Sequence, residues 1–222
     1  PYWSQMAYFV YGMADQAGNF QEWNSLALED KHHSRDAGTG DPFLIITPDL
    51  RFAQGTTVEE QRANEGAYFR VNRPGVETGY TWKRPDRGQW RWSWYKHTRG
   101  MDYYFEGVYD QPEIRMEEMR LLKAEGLFHK GDRAGAAAIV NETRTKWGLN
   151  ETDAAGTNTD CVPKLPGSGQ GYDTAPGNPQ CGGLFEMLKW EKRMENTFHG
   201  PMGNSWFFDS RGWGDLWKDT WI

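Results

Sequence analysis

The segment Pro112–Asn150, PEIRMEEMRLLKAEGLFHKGDRAGAAAIVNETRTKWGLN, constrains the fold more than any other stretch of the chain. It predicts two helices joined by a tight turn. Pro112 suits a helix start, and Glu113, Glu117 and Glu118 sit where the N-terminal dipole favours acids. Ile114, Met119, Leu122 and Gly126 give an inner stripe at near-helical spacing. Gly131 can end the first helix in a left-handed conformation, and Asp132 can cap the second by accepting from its free N–H groups. The second helix carries Ala134, Ala137, Ala138, Val140 and Trp147, and Gly148 can stop it. Small residues on both partners allow close approach, as in one tetratricopeptide-like hairpin. A single such hairpin cannot bury its whole face and must pack on other helices.

The rest of the chain is poor in aliphatic residues. Hydrophobic residues make up 37% of the 222, yet aromatics alone are 15%, with 12 Trp, so much of the apolar burial must come from rings. The peptide MAYFVYGMA reads as a buried helix or strand, residues 32–42 as loop, and 53–89 as mostly irregular with short helical pieces. In RGQWRWSWYKHTR, Trp90, Trp92 and Trp94 stand at every second position and would share one face of a strand. With Tyr95, and with Tyr2, Trp3 and Trp23 as rivals, they are candidate platforms for a sugar ring; Arg87, Arg91 and Lys96 could donate to its hydroxyls. The alternative is that the tryptophan row packs into the core.

Residues 150–183 read as a long loop of Gly, Pro, Thr, Asn and Asp. Its two cysteines, Cys161 and Cys181, suit a disulfide in an oxidising compartment, worth about 3 kcal/mol on the loop-entropy argument. Helix resumes from about Leu184 to Phe198, with Leu184, Met187, Leu188, Glu191, Met194, Glu195 and Phe198 on one side. Two of these are acids, and a buried acid needs a partner. The spacing predicts a clasp in which Glu191, Glu195 and Asp209 pair with Arg193 and Arg211, covered by Trp206 and Trp213.

Taken in order, these segments resemble the C-terminal part of the SusD/RagB family of outer-membrane nutrient-binding lipoproteins. The family's hairpin ends in a segment of the form N-x-V-R-x-R-A-G-L, matched by Asn141, Arg144, Gly148 and Leu149. Its E-R-R-x-E helix is matched by Glu191, Arg193 and Glu195, and its D-L-R-R-W-G turn by Asp209, Arg211, Trp213 and Gly214. Lys192, His199 and Gly212 depart from the pattern. The match covers about 113–217.

The resemblance implies a mainly α fold of tetratricopeptide-like hairpins packed with long irregular loops. It implies a C-terminal portion of one domain, clipped at both ends: an aromatic-rich ligand-side region at 1–110, the hairpin at 111–149, the loop at 150–183, and the motif helix and aromatic tail at 184–222. It further implies a non-catalytic protein on the surface of a Gram-negative outer membrane, held there by a lipid anchor on a preceding segment. Such a protein captures oligosaccharide and delivers it to a SusC-like TonB-dependent transporter. Peptide capture by the same architecture, a glycoside hydrolase, and a scaffold with a docking groove are the alternatives.

The residues themselves narrow the field. Net charge is −6, Lys and Arg are scattered, and no basic stripe suggests nucleic acid. No apolar run is long enough to span a bilayer. No nucleophile elbow or phosphate loop appears. His32, His33 and Asp36 lie in one loop without a second cluster, so neither a metal nor another cofactor is expected.

Overall fold

A computed structural model describes residues 5–26, 43–71, 92–99, 114–166, 172–197 and 205–216. The architecture is mainly α. The chain divides into two compact units, Pro1–Val108 and Tyr109–Ile222.

In the first unit, strands β1 (Gln5–Ala7), β2 (Phe69–Val71) and β3 (Trp92–His97) form an antiparallel sheet in the order β1-β3-β2. Central β3 sets Lys96 opposite Gln5 and Tyr95 opposite Val71. The MAYFVYGMA segment leaves β1 for helix α1 (Tyr8–Tyr11) and a 3₁₀ turn at Gly12–Ala14, both buried. A short apolar run with no polar face has nowhere else to go. Helices α2 (Asn19–Ser25) and α3 (Val58–Ala63) follow. A capping box starts α3: Thr57 accepts from the Glu60 N–H while the Glu60 carboxylate accepts from the Thr57 N–H.

Rings fill this core. Tyr8 stacks on Phe43 with centroids 3.9 Å apart and tilts against Trp23 at 5.3 Å, and Phe52 meets Phe69 at 4.5 Å. Trp23 is buried and Tyr95 fully so. Tyr95 Oη donates to Gln61 Oε1 at 2.6 Å and accepts from Ile45 N at 2.8 Å, while Gln61 Nε2 donates to Ile45 O at 3.0 Å. The expectation that Trp23 and Tyr95 face a sugar is therefore corrected. A core short of Leu and Ile takes its volume from these rings, and the polar tip of Tyr95 is satisfied internally. Arg51 forks onto Asp49 (Nε–Oδ1 2.8 Å, Nη2–Oδ2 2.7 Å), with both side chains inaccessible.

In the second unit, α4 (Met116–His129) and α5 (Arg133–Lys146) form the hairpin. Gly131 has φ +87°, and Asp132 Oδ1 accepts from Gly135 N at 2.9 Å. Gly148, at φ +78°, turns the chain after α5. The buried side of α4 is Leu121 and Ala124, and Leu127 and Phe128 pack against Ala136, Ala137 and Leu184. The expected stripe is exposed instead: Ile114 69%, Met119 52%, Leu122 43%. Gly126 is exposed as well, and an added Cβ would meet nothing within 4 Å. Apolar residues occupy two sides of this helix, and spacing alone favoured the wrong one. On α5 the buried side is Ala136, Ala137, Val140, Thr143 and Arg144, whereas Ala134 and Ala138 are exposed.

Helix α6 (Leu184–Glu195) packs on both α4 and α5, with Leu184, Met187 and Leu188 seated against Ala124, Ala136, Ala137 and Val140. Helix α7 (Ser205–Trp213) follows. Expected core residue Phe198 lies outside the described residues.

The segment between α5 and α6 is held at several points. Asn141 clamps Thr152 through both backbone groups at 2.9 Å. Arg144 is fully buried and donates to Asn150 O, Val162 O and Asn158 Oδ1 at 3.0, 2.9 and 3.4 Å, with Asp160 at 3.5 Å. Further on, the expected loop contains a hairpin of β4 (Thr174–Ala175) and β5 (Asn178–Gly182). Pro163 O and Leu165 N pair with Gly182 N and Gln180 O. Cys161 and Cys181 are joined in a disulfide, Cα atoms 4.7 Å apart. Replacing both cysteines with serine should lower stability by about 3 kcal/mol, read as a lower urea midpoint and matched by adding reductant to the parent chain.

Candidate functional site

Helix α6 is buried along nearly its whole length, charged residues included. Glu191, Arg193 and Glu195 are all buried, and Glu195 Oε1 accepts from Trp147 Nε1 at 2.8 Å. The link to the tail runs through lysines. Lys192 Nζ donates to Glu125 Oε2 at 2.9 Å and Asp209 Oδ1 at 3.0 Å, so one ammonium joins α4, α6 and α7. One turn back, Lys189 Nζ donates to Glu186 Oε1 at 2.8 Å and lies 3.3 Å from Asp215 Oδ2.

The expected clasp is therefore corrected in its partners. Asp209 takes its hydrogen bond from Lys192, and the charge of Arg193 acts on it as well. Arg211 is exposed and joins none of the ion pairs found among the described residues. The reason is helical phase: Asp209 and Trp213 are four residues apart and face α6 together, while Arg211 falls between them on the other side. Trp213 does join the clasp. Its Nε1 donates to Glu125 Oε1 at 2.7 Å, and its ring takes Lys192 at 5.1 Å and Lys189 at 5.6 Å.

A cavity of about 440 Å³ opens beside this clasp. Helix α4 contributes Glu125 and His129, α6 contributes Phe185, and α7 contributes Phe208, Asp209, Gly212 and Trp213. Phe185 meets Trp213 edge-on at 6.1 Å and stacks on Phe128 behind it at 4.8 Å. Phe208 is 57% exposed. Two carboxylates thus stand among three rings, with one buried ammonium between them.

The local environment pulls these acids apart. Burial raises the pKa of Asp209, and the hydrogen bond and charge of Lys192 offset only part of that. Burial acts on Glu125 in the same sense, but hydrogen bonds from Trp213 and Lys192, with the charges of Lys192 and His129, outweigh it and hold the carboxyl below its ordinary value. Burial also raises Glu186, with Lys189 drawing it back in part. Sequence reasoning missed Glu125, Glu186, Lys189, Lys192 and Asp215. The signal was two lysines three residues apart on a helix otherwise buried.

Of the other candidate platform residues, Tyr2, Trp3 and Trp90 lie outside the described residues, as does the His32, His33 and Asp36 loop at which no metal was expected. Trp92 and Trp94 belong to β3, and Trp206 to α7, but their side chains lie outside them too. Among the described residues, no group of three or more His, Cys, Asp or Glu could hold a metal, and no helix is long and apolar enough to cross a membrane. Compared with protein families, with curated proteins and with solved structures, the chain finds no match.

Proposed function

We propose that this chain is the glycan-capturing part of a cell-surface protein of SusD/RagB type, built on a tetratricopeptide-like hairpin. It binds oligosaccharide without cleaving it and passes it to a TonB-dependent transporter in the outer membrane. The observation that carries this reading is the cavity between α4, α6 and α7. Its volume falls in the range of about 300–1,000 Å³ typical of small-ligand sites. Flat rings at Phe185, Phe208 and Trp213 suit the C–H face of a pyranose, and carboxylate edges at Glu125 and Asp209 suit its hydroxyls.

Lys192 supports capture without cleavage. Carboxyls that cleave a glycosidic bond must flank it. Here an ammonium already bridges Glu125 and Asp209, in the space a scissile bond would need.

Calorimetric titration of the 222-residue chain with an oligosaccharide panel, alongside a reducing-end assay, tests the reading. Saturable binding to at least one glycan with no release of reducing ends is expected. Silence across the panel, or binding confined to a peptide library, overturns glycan capture; release of reducing ends makes the protein a hydrolase.

A further inference from the structure

The same cavity carries a charge that a neutral sugar leaves unanswered. Four carboxylates, Glu125, Glu186, Asp209 and Asp215, meet two ammoniums on α6, Lys189 and Lys192. At the wall itself, Glu125 and Asp209 share the single ammonium of Lys192. His129 on the rim is exposed.

The protein answers this excess with one repeated motif, an ammonium between carboxylates and ring faces. Lys189 sits between Glu186 and Asp215 on one side and the rings of Phe185 (4.8 Å) and Trp213 on the other. Lys192 sits between Glu125 and Asp209 and the ring of Trp213. The cavity offers the same ingredients from the open side, with Phe208 as a further, largely exposed ring. A cation over an aromatic face and beside a carboxylate is held by both.

We propose that the cavity seats a hexosamine unit bearing a free, protonated amine, its ring against the aromatic wall and its ammonium beside Asp209 on the open side, across that carboxylate from Lys192. This rests on the glycan reading above and names the sugar class within it.

Gly212 supplies a clean way to close the site. It lines the cavity, and a Cβ built on it would meet nothing within 4 Å, so a larger side chain there fills open space without displacing the clasp. The test is calorimetric titration of the full chain at mildly acidic pH with a glucosamine trisaccharide, its N-acetylated counterpart, cellotriose and a lysine-containing tripeptide. Acetylation keeps the ring and removes the charge. The free-amine trisaccharide is expected to bind about tenfold or more tighter than the other two glycans, the advantage of a cation over rings and carboxylate. Gly212→Phe is expected to abolish that binding with an unchanged melting temperature, and Phe208→Ala to weaken it.

Equal binding of the three glycans, or unaltered binding in Gly212→Phe, overturns the amine assignment and leaves glycan capture standing. Tighter binding of the tripeptide than of any glycan overturns the assignment to a sugar. Failure of every glycan in the wider panel overturns the underlying reading as well.

Discussion

Arg144→Ala is expected to destabilise the second unit by about 3–5 kcal/mol, the range for removing one member of a buried charged network. The side chain is inaccessible, and its guanidinium serves Asn150 O, Val162 O and Asn158 Oδ1 while facing Asp160. Truncation leaves those acceptors facing a void, each losing a charge-assisted bond. Arg144→Lys should recover less than half of the loss, because one ammonium on a flexible stem cannot reproduce a planar fork aimed at separate carbonyls. Urea unfolding of the three proteins checks both statements. A midpoint for Arg144→Ala within error of the parent would show that the α5–α6 segment holds its path without the guanidinium.

Lys192→Met is expected to cost about 2–4 kcal/mol at neutral pH, somewhat below a fully buried pair because Glu125 and Asp209 keep an edge to the cavity. The cost should depend on pH. Without the ammonium, both carboxyls lose the charge that draws their pKa values down, so both stand higher in the folded variant than in the folded parent. The folded variant then binds protons more readily than the folded parent, the unfolded chains being alike at both carboxyls. The penalty is complete above the variant's folded values and shrinks as the pH falls through them toward the parent's own.

In the parent chain the two acids act in opposite directions. Asp209, raised, adds stability at low pH that is lost as the pH rises through its folded value; Glu125, lowered, adds stability that is lost as the pH falls through its own. Melting curves of parent and Lys192→Met at pH 4 and pH 7 test this. A gap between the two proteins that is as wide at pH 4 as at pH 7 would exclude the pairing. Exposed Arg211→Ala serves as the control, with an effect within about 0.5 kcal/mol.

The hairpin was legible because its boundaries are written in local chemistry. Gly131, Asp132 and Gly148 do in space what their residue types demand. The packing side of α4 was not legible. Met119 and Leu122 repeat with helical spacing as well as Leu121 and Ala124 do, and only α5 and α6, distant in sequence, select the second set.

The clasp was half legible. Buried acids on α6 follow from its pattern, but the expected arginine partners were chosen for their nearness in sequence, and Lys192 was read only as a departure from the family pattern. Its role depends on Glu125, 67 residues away. The cavity was invisible to the sequence for the same reason, since no single stretch contains more than part of its wall. Trp23 and Tyr95 mark a different boundary: the ring that stacks on a sugar and the ring that fills a core are the same residue, and only burial separates them.

Lys189 and Lys192 stand one turn apart on a single helix; Lys192 holds Asp209 within α7, and Lys189 holds Asp215 just after it. Detachment of α7 would therefore break both attachments together and dismantle the cavity wall that Phe208, Asp209 and Trp213 provide. Ligand occupancy and local opening thus become competing events, so a bound molecule should slow deuterium uptake at the α7 amides.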